Sequence, residues 1–259
     1  MKTKWFRTGI LCIVSVVIFF VGKVNYNRKN VIVPQNIKSE IDTISQKNVL
    51  PCPREKTFAS CKLTDSFLLV NINDIDSTIL VDLKYATTDN FTGAILYVGF
   101  KDAYLQPDVA LMLAEANHYL KKSHPGLRLL VYDAVRPLSV QRAMWNQVKD
   151  TKYHRYIAHP DRLSLHNYGA AVDLTLADSL GRPLDMGTSF DHFGRAAGIS
   201  NEQELVEQGL LNKQQVLNRQ LLREVMHYAG FRSISGEWWH FNACSLQEAK
   251  QRYTVIEDF

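Results

Sequence analysis

A carboxylate in the middle of an apolar strand constrains this chain more than any other feature. Ser164-Leu165-His166-Asn167-Tyr168-Gly169-Ala170-Ala171-Val172-Asp173 leads into Leu174-Thr175-Leu176, and residues 170–176 are apolar enough to read as a strand. Asp173 shares a strand face with Ala171 and Thr175. Burying a carboxylate alone is costly, so the fold must bring it a partner. His166, seven residues earlier in a loop, is one candidate. Imidazole and carboxylate are both ordinary zinc ligands. A simple His–Asp hydrogen bond in a core would also satisfy the pair, and this segment alone leaves both arrangements open.

A second cluster adds to the first. Glu237-Trp238-Trp239-His240 places a carboxylate three residues before a histidine. The adjacent tryptophans predict an apolar wall that desolvates Glu237 and raises its pKa toward a useful general-base range. His166, Asp173 and His240 would supply three ligands and leave a fourth position for water, as catalytic zinc requires. A regular strand would put Glu237 and His240 on opposite faces, so a bend between them is needed. The remaining histidines (118, 124, 154, 159, 192 and 227) have no such context and are read as surface or core residues.

Around these clusters the chain divides in three. Lys2, Lys4 and Arg7 precede an apolar run from Ile10 to Val21, closed by Lys23. Residues 1–23 thus form a secretory signal or an N-terminal membrane anchor, with residues 8–22 as the tether in the second case. They carry the whole formal charge of +4, and the rest of the chain sums to zero. The basic balance therefore gives no support for nucleic-acid binding. Residues 24–61 are polar, contain Pro34, Pro51 and Pro53, and read as a linker. Export permits a Cys52–Cys61 bridge, or both thiols stay free; Cys244 is left unpaired and buried. Residues 62–259 are then one catalytic domain.

That domain mixes strands and helices without regular alternation. Strands are expected at 67–72, 79–85, 127–132 and 170–176. Helices are expected at 107–122, at 139–149 with Ser139 as its cap, and at 212–229. The last should turn Leu217, Leu221, Leu222 and Val225 inward and stop at Gly230. Residues 231–241 return as a strand or a bent extended segment. The order predicts an α+β fold with a mostly antiparallel sheet and flanking helices.

These residues also carry a resemblance. The pattern S-x-H-x-x-G-x-A-x-D followed by E-x-W-H resembles the zinc D,D-peptidases of the hedgehog-like superfamily. More narrowly, it is similar to the zinc D-alanyl-D-alanine dipeptidases of the VanX type. Lys84 to Gly93 (KYATTDNFTG), Tyr132 to Pro137 (YDAVRP), Asp185 to Asp191 (DMGTSFD) and the doubled tryptophan of 237–240 support the narrower likeness. It runs from about residue 65 to 242.

The resemblance implies a zinc D,D-peptidase fold and one Zn2+ per subunit on His166, Asp173 and His240. It implies Glu237 as general base and Arg136 as electrophile beside the scissile carbonyl. Asp191 would meet the substrate's free ammonium, and Ser164 and Tyr85 would help hold the dipeptide. The implied reaction is hydrolysis of D-alanyl-D-alanine to two D-alanines, in cell-wall peptide turnover or glycopeptide resistance. Export implies a periplasmic or cell-envelope location, with anchorage to the inner membrane as the other fate of residues 1–23. Two alternatives stay open: a D,D- or L,D-carboxypeptidase trimming peptidoglycan stem peptides, and a non-catalytic zinc module that binds wall peptides. The first has no need of an ammonium pocket at Asp191, and the second has no need of Glu237 or Arg136.

Overall fold

The computed structural model describes residues 67–258. The apolar run of residues 10–21, Cys52 and Cys61 lie outside the described residues. No helix among the described residues is long and apolar enough to cross a membrane.

The central sheet has five strands: β2 (Leu80–Val81), β4 (Arg128–Asp133), β5 (Ala171–Ala177), β6 (Arg232–Ser233) and β7 (His240–Asn242). Their order is β2-β4-β5-β7-β6, with β2 parallel to β4 and the other pairs antiparallel. A separate ribbon pairs β1 (Val70–Asn71) with β3 (Tyr104–Leu105). The helices are α1 (Ile72–Ile75), α2 (Pro107–Ser123), α3 (Leu138–Val148), α4 (Glu202–Glu207), α5 (Lys213–Tyr228) and α6 (Leu246–Arg252). The mostly antiparallel α+β reading holds.

Register builds the site. Every residue of β5 is buried, and β5 lies between β4 and β7. Asp133 of β4 stands opposite Asp173 of β5, and Asp173 stands opposite His240 of β7. Three chemically active residues therefore form one row across three adjacent strands. A register irregularity between Val131 and Asp133 makes this possible, because an extra residue in one strand re-aims the side chains that follow it. Two carboxylates directly opposite would repel, and Arg136 bridges them, as described below.

Elsewhere the sequence reading needs adjustment. The two expected early strands shrink to Val70–Asn71 and Leu80–Val81, and Tyr85 sits in a 3-10 turn, Lys84–Ala86. Ser139 does not cap α3. Pro137 occupies the cap position, and the Ser139 hydroxyl instead reaches the Asp258 carboxylate at 3.0 Å. On α5, Leu217 is 55% exposed, while Arg219, Leu222, Val225 and Met226 are buried. Of the four positions expected inward, Leu222 and Val225 are buried and Leu221 packs against the core, so only Leu217 departs, and Arg219 takes an inward position instead. Arg219 donates to the carbonyls of Met186 (2.6 Å), Ala196 (2.9 Å) and Gly198 (3.4 Å). It thereby anchors the loop that carries Asp191. Asn212 caps α5 in a capping box with Gln215, and Gly230 follows with φ +91°. Cys244 is a buried free thiol, as expected.

Candidate active site

The segment before β5 folds into a 3-10 turn, Leu165–Tyr168. The Ser164 hydroxyl accepts from the His166 N–H at 3.3 Å, and Asn167 Oδ1 accepts from the Ser164 N–H at 2.7 Å. Gly169 closes the turn at φ +65°, where a Cβ would lie 2.9 Å from Leu69 Cδ2 and 3.3 Å from the Gln106 nitrogen. Only glycine fits there without strain. The result is a buried His166 presented toward Asp173.

The histidine tautomers follow from their partners. His166 Nδ1 lies 2.6 Å from the Ala134 carbonyl, which can only accept. Nδ1 therefore carries the proton, and the Nε2 lone pair faces the cluster. His240 Nε2 lies 2.8 Å from Asn242 Oδ1, which leaves its Nδ1 facing the same point. His166 Nε2 and His240 Nδ1 are 3.2 Å apart, and each approaches Asp173 Oδ1, at 3.3 and 2.9 Å. A tetrahedral ion with bonds of about 2.0–2.1 Å holds its ligand atoms about 3.3 Å apart. Two imidazole lone pairs and a carboxylate aimed at one point suit a divalent cation, and the outer hydrogen bonds fix their orientation. Burial pushes the Asp173 pKa up, but with no cation bound, positive charge on the two imidazoles beside it outweighs this and holds the carboxyl well below its ordinary range.

Arg136 is buried beside this cluster. Its Nε donates to Asp133 Oδ2 at 2.8 Å, Nη2 lies 2.6 Å from the same oxygen and 3.3 Å from Asp173 Oδ2, and Nη1 donates to Gln141 Oε1 at 3.2 Å. Its backbone is gripped too: its N–H donates to the His166 carbonyl and its carbonyl accepts from Asn167 Nδ2. Asp133, wholly buried, also accepts from Tyr97 Oη at 2.6 Å and from the Ala134 N–H at 3.0 Å.

Glu237 reaches the site because β7 begins only at His240; residues 235–239 form the required bend. Burial raises its pKa, with Asp173 adding and His240 opposing. The two tryptophans do not form one wall. Trp239 lines the cavity with Glu237, whereas Trp238 faces a smaller neighbouring cavity and donates to Thr188 Oγ1 at 2.8 Å.

Asp191 approaches from a loop, not a helix cap. Its φ of +59° is a conformation that aspartate tolerates better than most residues. Tyr85 Oη lies 3.0 Å from both of its carboxylate oxygens. Burial raises the Asp191 pKa to about 8; Asp173 and Glu237 add to this, while Arg136 and the Tyr85 hydrogen bond oppose it. Tyr85 itself is wedged edge-on among Phe91, Tyr97 and Phe190, with the Arg136 guanidinium over its ring.

All eight residues singled out in the sequence line one cavity of about 820 Å³. Its far wall is the segment 154–163, whose His154 and His159 were read as bystanders. The supporting groups Asp133, Gln141, Asn242 and Arg219 were not singled out. Asp133 alone left a trace, as the second residue of the segment Tyr132 to Pro137.

The D-ala-D-ala dipeptidase family (Peptidase_M15) matches residues 65–257, three quarters of the chain and every motif above. The chain belongs to this family. Among its dipeptidase relatives, the D-alanyl-D-alanine dipeptidase of Escherichia coli (strain K12) is 34% identical over 179 residues, covering 69% of this chain and 86% of that protein. The D-alanyl-D-alanine dipeptidase of Synechocystis is 32% identical over 177 residues, covering 56% and 71%. As a member of the dipeptidase family the chain is a peptidase, and so a hydrolase.

Proposed function

We propose that this protein is a zinc-dependent dipeptidase that hydrolyses D-alanyl-D-alanine, with one zinc per chain held by His166, Asp173 and His240. The observation that carries the reading is the pairing of two differently equipped carboxylates in one cavity. Asp173 is surrounded by metal-type donors, while Asp191 is half-buried with a tyrosine hydroxyl beside it and a pKa pushed up to about 8. The zinc, when bound, acidifies a water and polarises the scissile carbonyl.

The chain's own residues supply the rest. Glu237, its pKa raised by burial, accepts a proton from the attacking water and returns it to the leaving amine. Arg136, locked by Asp133, Asp173 and Gln141, places positive charge where the carbonyl oxygen becomes anionic. A donor that needs no reorganisation at that moment is effective in a buried site. Asp191 receives the substrate's free ammonium, with Tyr85 holding the carboxylate in place. An acylated amine would leave that carboxylate without a cation, with the Tyr85 hydroxyl as its side-chain partner, so peptides extended at the amine are rejected. Ser164 lines the same cavity and caps the His166 turn.

Residues 1–23 would export the domain or tether it to the membrane, placing it in the periplasm or cell envelope near wall-derived peptides. The test is incubation of the purified protein with D-Ala-D-Ala and with N-acyl-D-Ala-D-Ala, with and without chelator. Chelator-sensitive cleavage of the free dipeptide alone supports the reading. Equal rates on both substrates would overturn it in favour of a carboxypeptidase.

A further inference from the structure

The Arg136 guanidinium hydrogen-bonds to three side chains, and they are not equivalent. Asp133 and Asp173 are carboxylates and compensate its charge. The third, Gln141, is neutral, lies in the first turns of α3 and is wholly buried. Its Oε1 accepts from Arg136 Nη1 at 3.2 Å, and its Nε2 donates to the Ala158 carbonyl at 2.7 Å. This amide cannot be turned over: a guanidinium has no acceptor and a carbonyl has no donor. Gln141 therefore joins two parts of the cavity in one fixed sense, the guanidinium on one side and the far wall of 154–163 on the other.

We infer that Gln141 is a positioning residue for the reaction, acting through Arg136, and that its neutrality is part of its role. It fixes the direction of Nη1 without adding a third negative charge to a cation already shared by two carboxylates. A cation meant only to balance charge in a core needs no such neutral third partner. One meant to meet developing negative charge gains from being aimed without being further neutralised. The same amide sets the distance between Arg136 and the far wall, so substrate-facing groups on both sides keep one spacing.

This inference rests on the assigned role of Arg136, and the experiment separates the two. Gln141→Leu, Gln141→Glu, Arg136→Ala and the Arg136→Ala/Gln141→Leu double variant are compared for kcat and KM on D-Ala-D-Ala. Metal content is measured on each, because Arg136 touches Asp173. Gln141→Leu removes the aim, and kcat should fall by about 10- to 100-fold, the scale on which misplacement by an ångström acts, with KM changed less than about 3-fold. Gln141→Glu keeps the size and the acceptor toward Arg136 but adds charge and loses the donor to the Ala158 carbonyl, and should lower kcat at least as much. In the Arg136→Ala background, Gln141→Leu should cost less than about 2-fold, because residues that act as a unit are non-additive. Equal costs in the two backgrounds, or a Gln141→Glu protein with normal kcat, would overturn the inference. If Arg136→Ala alone leaves kcat unchanged, the role given to Arg136 falls and this inference with it. If the Leu variant does not fold, the Glu variant decides.

Discussion

Two carboxylates that line one cavity, Asp173 and Asp191, come from different kinds of structure. Asp173 stands on the central strand β5, and its surroundings are complete: His166, His240 and Arg136 all lie within 3.3 Å. Asp191 stands on a loop at positive φ, anchored from behind by Arg219, and Tyr85 is the side chain that meets its carboxylate. One carboxyl is held well below its ordinary range, and the other is pushed up to about 8. On the roles proposed above, the difference separates a permanent ligand from a receptor. A group that holds a resident cation is surrounded by donors fixed in place. A group that waits for a substrate's cation is left underpaired, and folding bears the cost until substrate arrives.

The strand-borne half is the easiest to break. Replacing both His166 and His240 by alanine should abolish metal binding and take activity to the limit of detection, because two of three donors are gone. Elemental analysis checks this, and stoichiometric zinc persisting in the double variant would place the metal elsewhere. Glu237→Gln is the milder break on the same side. It keeps the shape but loses proton transfer, so kcat should fall by roughly 10²–10⁴-fold with zinc retained. Near-normal turnover would send the proton by another route.

This contrast also marks what could be read in the sequence. Asp173 announced itself because a carboxylate breaks an apolar run, and His166 and His240 followed from its need for partners. Their assembly depended on register, which the sequence carries only as a likeness to known motifs. The irregularity beside Asp133 that aligns Asp133, Asp173 and His240 has no local signature. The long helices are legible from their periodicity; on α5 only Leu217 is misplaced, since nothing in the pattern says that Arg219 goes inward. Gln141 and Asn242 were invisible for a similar reason. Uncharged amides on a helix and a strand end look like surface until the fold puts a guanidinium or an imidazole beside them.

The loop-borne half is tested by selectivity. If Asp191 receives the ammonium, Asp191→Ala should lower kcat/KM on D-Ala-D-Ala by roughly 10–100-fold, since a charge-assisted hydrogen bond contributes about 1.5–3 kcal/mol. Any blocked substrate that is cleaved at all should lose far less. The raised carboxyl adds a pH signature in the wild type. KM for the free dipeptide should fall as the pH rises through the Asp191 pKa, which bound zinc draws below its metal-free value of about 8, then rise again above about 8 as the substrate's own ammonium is lost. An Asp191→Ala protein with equal losses on free and acylated substrates would reduce Asp191 to a structural residue.

The smallest effect is on stability, and it runs in opposite senses at the two carboxylates. In an unfolded chain an aspartate titrates near about 3.9. Asp191 in the folded protein titrates near 8, so across the interval the unfolded chain has already lost a proton that the folded one keeps. By linkage, stability present below about pH 4 is then lost progressively as pH rises toward 8. Asp173, held low in the fold, does the reverse: its contribution is present above about pH 4 and is lost as pH falls. Asp191→Asn removes only the first of these. In chelator-treated protein, its melting temperature relative to wild type should be lowest at about pH 4, climb as the pH rises and level off above about pH 8. The chelator matters because a cation on the triad draws the Asp191 pKa down and flattens the climb, so adding zinc back should shrink the difference. A difference that stays constant from pH 5 to 9 in metal-free protein would mean that Asp191 is ionised and hydrated in both states. In that case the loop-borne carboxylate would not be the underpaired receptor that sets it apart from Asp173.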